Sequence, residues 1–296
     1  MGKRIIIPAA IIGIILITLI YIGYRGNIEN MNNKPIQDVN MQQTSNTDPA
    51  TQEKEATYVY EDLSTYFSGY DGCFVLYNPE KNTYMIHNKE KSMKRLSPNS
   101  TFKIYNSLIG LESGVLKDEN TMFKWDGTKH DIESWNRDHT LASAFSNSVV
   151  WYYKMLASQV GEKTMQEYVD KIGYGNKDIS GGIDKFWLQS SIKISPIEQV
   201  ELLKEMYDYE LTFVKENIDI VKNIMVLSRE NGTVFRGKTG SGVKDSKYIN
   251  GWFVGYVEKE GNVYFFATNI EAAQDADGKH AKNITINILR TRICCS

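Results

Sequence analysis

Hydrophobic and polar positions divide the chain into three stretches of different character. Ile5 to Ile22 is apolar and uncharged throughout, bounded by Lys3 and Arg4 before it and Arg25 after it. That length is close to the threshold for a bilayer-spanning helix and exceeds the usual apolar core of a secretory leader. Residues 1–25 are therefore read as a membrane anchor or signal segment. No small-residue cleavage pattern comes after it and no Cys is placed for lipidation, so the reading is an uncleaved anchor; cleavage would instead release a secreted protein. Lys3 and Arg4 place the N-terminus in the cytoplasm and the residues beyond the apolar run outside the cell. Residues 26–57 are rich in Asn, Gln, Thr, Asp and Glu, the composition of a disordered polar linker. Large apolar side chains return at Tyr58, and residues 58–296 are the globular unit.

Within that unit two short strand-like runs, Gly72 to Tyr77 and Thr83 to His87, flank the turn signal Asn78-Pro79-Glu80-Lys81-Asn82. Next comes a nearly all-round apolar helix, with Phe102, Ile104, Tyr105, Leu108, Ile109 and Leu111 predicting a buried central element. Ser97 followed by Pro98 is a helix-start signal and Gly114 a stop. Helical periodicity then recurs over Leu141 to Met155, Glu162 to Lys171, Pro196 to Tyr207 and Lys215 to Leu227. After these lie three strand-like runs, Thr233 to Lys238, Ile249 to Glu258 and Val263 to Ile270, and a last helix covers about Lys279 to Arg290. Strands, helices, then antiparallel strands predict an α+β domain with a helical part inserted in a sheet.

Composition narrows the function. With 296 residues, 42% of them hydrophobic, the chain can bury a large core. A net charge of −2 with scattered Lys and Arg disfavours nucleic acid as a partner. Cys73, Cys294 and Cys295 are too few for a disulfide framework and lack zinc spacing, and four dispersed histidines give no metal centre. A link from the C-terminal pair to Cys73 is conceivable, but reduced thiols are the simpler reading.

The candidate chemistry sits at the start of the buried helix. Ser100 and Lys103 are three residues apart, so one helix turn brings an amine to a hydroxyl. A Lys on a buried helix must be paired or neutralised, which suits a base beside a nucleophile. The spacing alone is weak, because it recurs as Ser190 with Lys193 and as Ser241 with Lys244. Three downstream features add specificity: Ser148-Val149-Val150 at the opening of a helical stretch, Tyr174-Gly175-Asn176 in a turn, and Lys238-Thr239-Gly240 at the end of a strand. Ser-x-x-Lys, a second Ser and Lys-Thr-Gly, in this order, form the signature set of penicillin-recognising serine enzymes. Taken singly, Ser148 reads equally as a helix cap, Trp187 as core, and Tyr174-Gly175-Asn176 as a plain turn or as a motif in which Tyr174 is the base.

Over almost all of Tyr58 to Leu289 the chain resembles the class D β-lactamases, the oxacillinase group, of the Gram-positive type carrying an N-terminal membrane segment. The likeness rests on Lys124-Trp125-Asp126-Gly127, Trp135 to Ala144, Tyr174-Gly175-Asn176, Phe186-Trp187-Leu188 and Gly251-Trp252-Phe253-Val254-Gly255, and on Ser148-x-Val150 where class A relatives have Ser-Asp-Asn. The resemblance implies a β-lactamase/transpeptidase-like fold, an antiparallel five-stranded sheet flanked by helices with an all-helical region. It implies that Ser100 attacks a β-lactam carbonyl, that the backbone N–H groups of Ser100 and Ser241 hold the oxyanion, and that Ser148 and Lys238 pass a proton to the departing nitrogen. Val150, Lys238, Thr239, Gly240 and Ser241 would bind the substrate. It also implies N-carboxylation of Lys103, drawing on carbon dioxide or bicarbonate, with Trp187 holding the carbamate; no metal or organic cofactor is implied.

One departure stands out: there is no Arg just after the last strand in Ala272 to Asp277, where many class D enzymes bind the substrate carboxylate. Either Lys238 and Thr239 suffice or Lys279 assists. Loops around Met122, Trp125 and Gly242 to Tyr248 are expected to shape the pocket, with Trp125, Trp151 and Trp252 as core or cleft wall. Two rival readings share the acylation chemistry, a penicillin-sensing domain that stays acylated and a peptidoglycan transpeptidase or carboxypeptidase. The chain has no His-Glu-x-x-His protease motif through which such a sensor would signal.

Overall fold

Alternation of side chains along one central strand divides the core in two. In β2 (Asp71–Asn78), Cys73, Val75 and Tyr77 face one side of a sheet, while Phe74 and Leu76 face the other. A computed structural model describes residues 55–293. The Ile5 to Ile22 run, most of the predicted linker, Cys294 and Cys295 lie outside the described residues. Among the described residues no helix is long and apolar enough to cross a membrane.

The sheet has seven strands in the order β1-β3-β2-β9-β8-β7-β6, formed by β1 (Thr57–Tyr60), β2, β3 (Thr83–His87), β6 (Val226–Glu230), β7 (Thr233–Lys244), β8 (Lys247–Lys259) and β9 (Asn262–Glu271). Every pairing is antiparallel except β1 with β3. Five of these strands are the predicted ones; the two added are the edges. β1 exposes all four of its residues, and β6 lies where the helical pattern continues to Leu227. Edge strands bury little side chain, so they leave little trace in the sequence, and β6 exists because Val226 to Glu230 pair with Arg236 to Thr233. A separate ribbon joins β4 (Met122–Phe123) to β5 (His139–Thr140).

Helices cover both faces. α8 (Gly278–Arg292) packs Ala281, Ile284, Ile288 and Leu289 against Phe253, Phe266 and Phe74. The other face carries α1 (Lys89–Met93), α2 (Lys103–Glu112), α3 (Leu141–Ser146), α4 (Val150–Val160), α5 (Glu162–Lys171), α6 (Pro196–Tyr207) and α7 (Lys215–Ile224). Every residue of α2 from Lys103 to Leu111 is buried, as its apolar circumference predicts. Gly114 (φ 74°) comes directly after its C-cap.

The start of α2 differs from expectation. Pro98 leads into a 3-10 turn, Asn99–Phe102, before α2 begins, and Ser97 caps nothing. Asn99 is left-handed (φ 51°), which breaks the run of helical dihedrals that a Ser97 cap would need. Ser97 Oγ instead takes a hydrogen bond from Lys193 Nζ at 2.8 Å. The predicted helix over Leu141 to Met155 is likewise two helices, split at Ser148.

α6 is secured by a reciprocal cap: Ser195 Oγ accepts from Glu198 N, while Glu198 Oε2 accepts from Ser195 N at 2.9 Å. We expect Ser195→Ala to destabilise the domain by roughly 1 kcal/mol, lowering its thermal midpoint by about 2–4 °C, while leaving penicillin acylation unchanged. Thermal unfolding followed by circular dichroism checks this.

Candidate active site

Four polar side chains converge from three elements where α2, the α3–α4 junction and β7 meet. Ser100 lies in the 3-10 turn with 9% of its surface exposed, and Lys103 on the first turn of α2 has none. Lys103 Nζ stands 3.1 Å from Ser100 Oγ and 3.0 Å from Ser148 Oγ, and donates to the Ser148 carbonyl at 2.5 Å. Lys238, on β7, places its Nζ 2.9 Å from Ser148 Oγ and 2.9 Å from the Thr239 carbonyl. Ser148 thus links the two amines.

Its backbone explains how it reaches both. Ser148 is left-handed (φ 53°), an uncommon state for a residue other than Gly, Asn or Asp. The strained corner directs the hydroxyl inward instead of capping α4, whose N-cap is Val149 with no side-chain bond. Trp135 steadies that corner, its Nε1 donating to the Asn147 carbonyl at 3.0 Å, and Trp151 Nε1 donates in turn to the Trp135 carbonyl at 2.9 Å.

Burial sets the charge state. Desolvation, reinforced by the nearby Lys238 charge, holds the Lys103 amine well below the usual lysine range. Desolvation alone brings Lys238 down to about 7. The site therefore holds one amine that favours its neutral form and one poised near neutrality, matched to taking and giving protons.

β7 runs hard against the 3-10 turn that carries Ser100. A side chain at Gly240 would stand 2.8 Å from the Pro98 carbonyl oxygen and 3.3 Å from Ser100 N, so only glycine permits the approach. This places the Ser100 and Ser241 backbones on facing elements beside one cleft. Gly278 N, at the start of α8, donates to Ser241 Oγ at 3.0 Å from behind the strand.

The cleft measures about 370 Å³ and is lined by Ser100, Ser148, Val150, Thr239 and Ser241 among the residues predicted to act there. Asn99, Trp135, Leu188 and Gln189 complete much of its wall; Trp135 and Leu188 belong to runs that carry the family likeness, while Asn99 and Gln189 are brought there by the fold alone. Val243 and Tyr248 line it as expected, whereas Met122 and Trp125 do not. Trp252 is core, its Nε1 donating to the Ser97 carbonyl at 2.9 Å. Among the described residues that line the cleft none is Arg or Lys, so Lys279, on the exposed start of α8, is not brought to it.

The remaining candidates fall into place by burial. Trp187 is fully buried against Phe102, ring centroids 6.0 Å apart, and its Nε1 has no hydrogen-bond partner among the described residues. Tyr174 is core, edge-on to Phe102 and Tyr105, and does not line the cleft; burial pushes its hydroxyl well above the usual tyrosine range. Of the other Ser-x-x-Lys pairs, Lys193 goes to Ser97 and Lys244 is exposed. Cys73 is a free buried thiol. Among the described residues no group of His, Cys, Asp and Glu is placed to hold a metal ion.

Comparison with known proteins agrees with this geometry. Residues 72–290 match the penicillin binding protein transpeptidase domain model. The chain is 44% identical over 224 residues to the probable β-lactamase YbxI of Bacillus subtilis, covering 76% of this chain and 82% of that protein. It is 42% identical over 232 residues to the regulatory protein BlaR1 of Bacillus licheniformis, covering 78% of this chain but only 38% of that protein. Among solved structures, the class D β-lactamase BAT-2 superposes with a TM-score of 0.75 at 42% identity, over 78% of this chain and 95% of that one. With its buried Ser100–Lys103 pair, Ser148 and the Lys238-Thr239-Gly240 strand around one cleft, the chain belongs to the penicillin binding protein transpeptidase domain family, in the group that unites class D β-lactamases with BlaR1-type proteins.

Proposed function

We propose that the protein is a serine β-lactamase that hydrolyses the amide bond of penicillin-type antibiotics through an acyl-enzyme on Ser100. The observation that carries this is the neutral-favouring amine of Lys103 at 3.1 Å from Ser100 Oγ, just behind the cleft wall, with Ser148 linking it to Lys238. Ser100 Oγ attacks the lactam carbonyl carbon, its proton passes to the base at position 103, and the oxyanion is held by the Ser100 and Ser241 N–H groups. The carbon–nitrogen bond breaks as Ser148 Oγ gives its proton to the departing nitrogen and takes one from the Lys238 ammonium. Thr239 and Lys238 help hold the substrate carboxylate.

Turnover requires a base that persists in the acyl-enzyme. A neutral Lys103 amine adds carbon dioxide with loss of one proton to give a carbamate anion, which supplies the general base for the hydrolytic water. The buried, unpartnered Trp187 N–H supports this, since an anion beside Phe102 would give that donor a partner. The Ile5 to Ile22 run supports attachment to the cell membrane with the catalytic domain outside.

The match to BlaR1 favours a second reading, a β-lactam-sensing domain that acylates and does not turn over. Nitrocefin turnover with and without bicarbonate, followed by intact mass after penicillin, separates the two. Many turnovers that rise with bicarbonate establish the hydrolase; one stoichiometric burst with a stable adduct establishes the sensor.

The residue roles carry two expectations. Ser100→Ala abolishes covalent labelling by penicillin in the intact mass. Lys103→Ala lowers nitrocefin turnover by about 10²–10⁴-fold and removes its response to bicarbonate, the loss typical of a general base; undiminished hydrolysis by that variant refutes the assignment.

The two lysines also set a pH profile. Carbamate formation needs an uncharged Lys103 and weakens as pH falls, whereas proton donation needs a charged Lys238 and weakens above its pKa of about 7. We expect a bell-shaped acylation profile whose basic limb disappears in Lys238→Met. Stopped-flow acylation rates from about pH 5 to 9, the span either side of neutrality, check it, and a variant that keeps the basic limb refutes the role of Lys238.

A further inference from the structure

The residue before the nucleophile is where three separate segments are tied together. Asn99 is 1% exposed and left-handed, yet its side-chain amide is used at both ends. Its Oδ1 accepts from Gln189 N at 3.2 Å, and its Nδ2 donates to the Ser97 carbonyl and to Asn250 Oδ1, each at 3.2 Å. Gln189, itself left-handed (φ 48°), belongs to the loop that carries Trp187. Asn250 belongs to β8, where it stands opposite Gly242 of β7.

The position of that link matters because the two oxyanion donors lie on different elements. Ser100 comes after Asn99 in the 3-10 turn, and Ser241 precedes Gly242 in β7, just before the ladder loses register between Gly242 and Val243. At such a break the ladder is locally disrupted and the strand bends, so contacts outside the ladder help set where it runs. Contact is close on the other side too: a side chain at Gly242 would lie 1.7 Å from Gln189 Nε2 and 2.9 Å from Asn99 Nδ2.

We propose that Asn99 is a positioning residue for the acylation step, its amide clasping Asn250 and the Gln189 backbone so that the Ser100 and Ser241 N–H groups keep the separation an oxyanion needs. Asn99 touches no reacting atom; it acts through the two backbones it joins. The inference rests on Ser100 being the acylated nucleophile and is indifferent to whether the acyl-enzyme is hydrolysed. It also accounts for Asn at this position: Asn tolerates the left-handed backbone and supplies both an acceptor and a donor.

Asn99→Gly tests this directly, since glycine keeps the left-handed conformation without strain and removes only the clasp. Asn250→Ala removes the partner from the opposite side and decides the matter if the first variant folds poorly. The full-length protein is mixed with penicillin, and stopped-flow data with intact mass give the noncovalent dissociation constant and the acylation rate constant separately. We expect each variant to acylate about 10–100-fold more slowly, with the dissociation constant changed by less than about 3-fold, because misplacing a catalytic group raises the barrier without weakening ground-state contacts. The double variant is expected to be little slower than the slower single one, as for two residues acting as one unit. Wild-type acylation rates in both single variants, or a loss confined to the dissociation constant, overturn the proposal while leaving Ser100 as nucleophile. An unlabelled wild-type protein overturns both.

Discussion

The burial of an amine beside a hydroxyl is the constraint on which the site depends. Lys103 has no solvent exposure, and a charged ammonium there would lie near a second buried lysine, Lys238, across Ser148. Water cannot compensate either charge, so the site relieves itself by favouring a neutral Lys103. What would be a defect in an ordinary core here leaves a neutral-favouring amine next to a hydroxyl. The same dryness that neutralises the amine also strengthens every hydrogen bond aimed at the reacting centre.

Much of the fold can be understood as the means of keeping that amine buried. α2 is enclosed from Lys103 to Leu111, with Ser107 donating to the Lys103 carbonyl at 2.7 Å and Tyr153 standing 2.9 Å from Ser107 Oγ. Phe102, Tyr105, Tyr174, Phe186 and Trp187 pack as one aromatic cluster at the start of the helix. The sheet supplies the opposite wall, brought close by Gly240. Three left-handed residues, Asn99, Ser148 and Gln189, line the cleft. Such conformations persist where surrounding contacts over-determine them, and here those contacts come from Trp135, Asn250 and the β7 strand.

The cleft separates its wall from the charged groups of the site. Its lining is uncharged and more apolar than polar, with Ser100, Ser148, Thr239 and Ser241 beside apolar Val150, Leu188 and Ile132. Charge is kept one layer back, on Lys103 and Lys238. A larger groove of about 590 Å³ lies elsewhere, between β6–β8 and α8, and contains none of these groups, so size alone does not locate the chemistry.

Local patterning determined a good deal. The limits of α5 and α6, the β2–β3 hairpin, the β8–β9 turn and the enclosure of α2 come from periodicity and turn residues, which act over a few positions and are written in the chain. The Ser100–Lys103 pair was legible for the same reason, being one helix turn apart. Tertiary structure alone decided the rest. β1 and β6 exist only through pairing with neighbours; Ser97 is drawn away from capping by Lys193; the helix expected across Ser148 is broken there. The clasp of Asn99, Gln189 and Asn250 joins residues that are 90 and 151 positions apart. No local pattern encodes such a contact, because its energy depends on three segments arriving together and not on what any one of them prefers by itself.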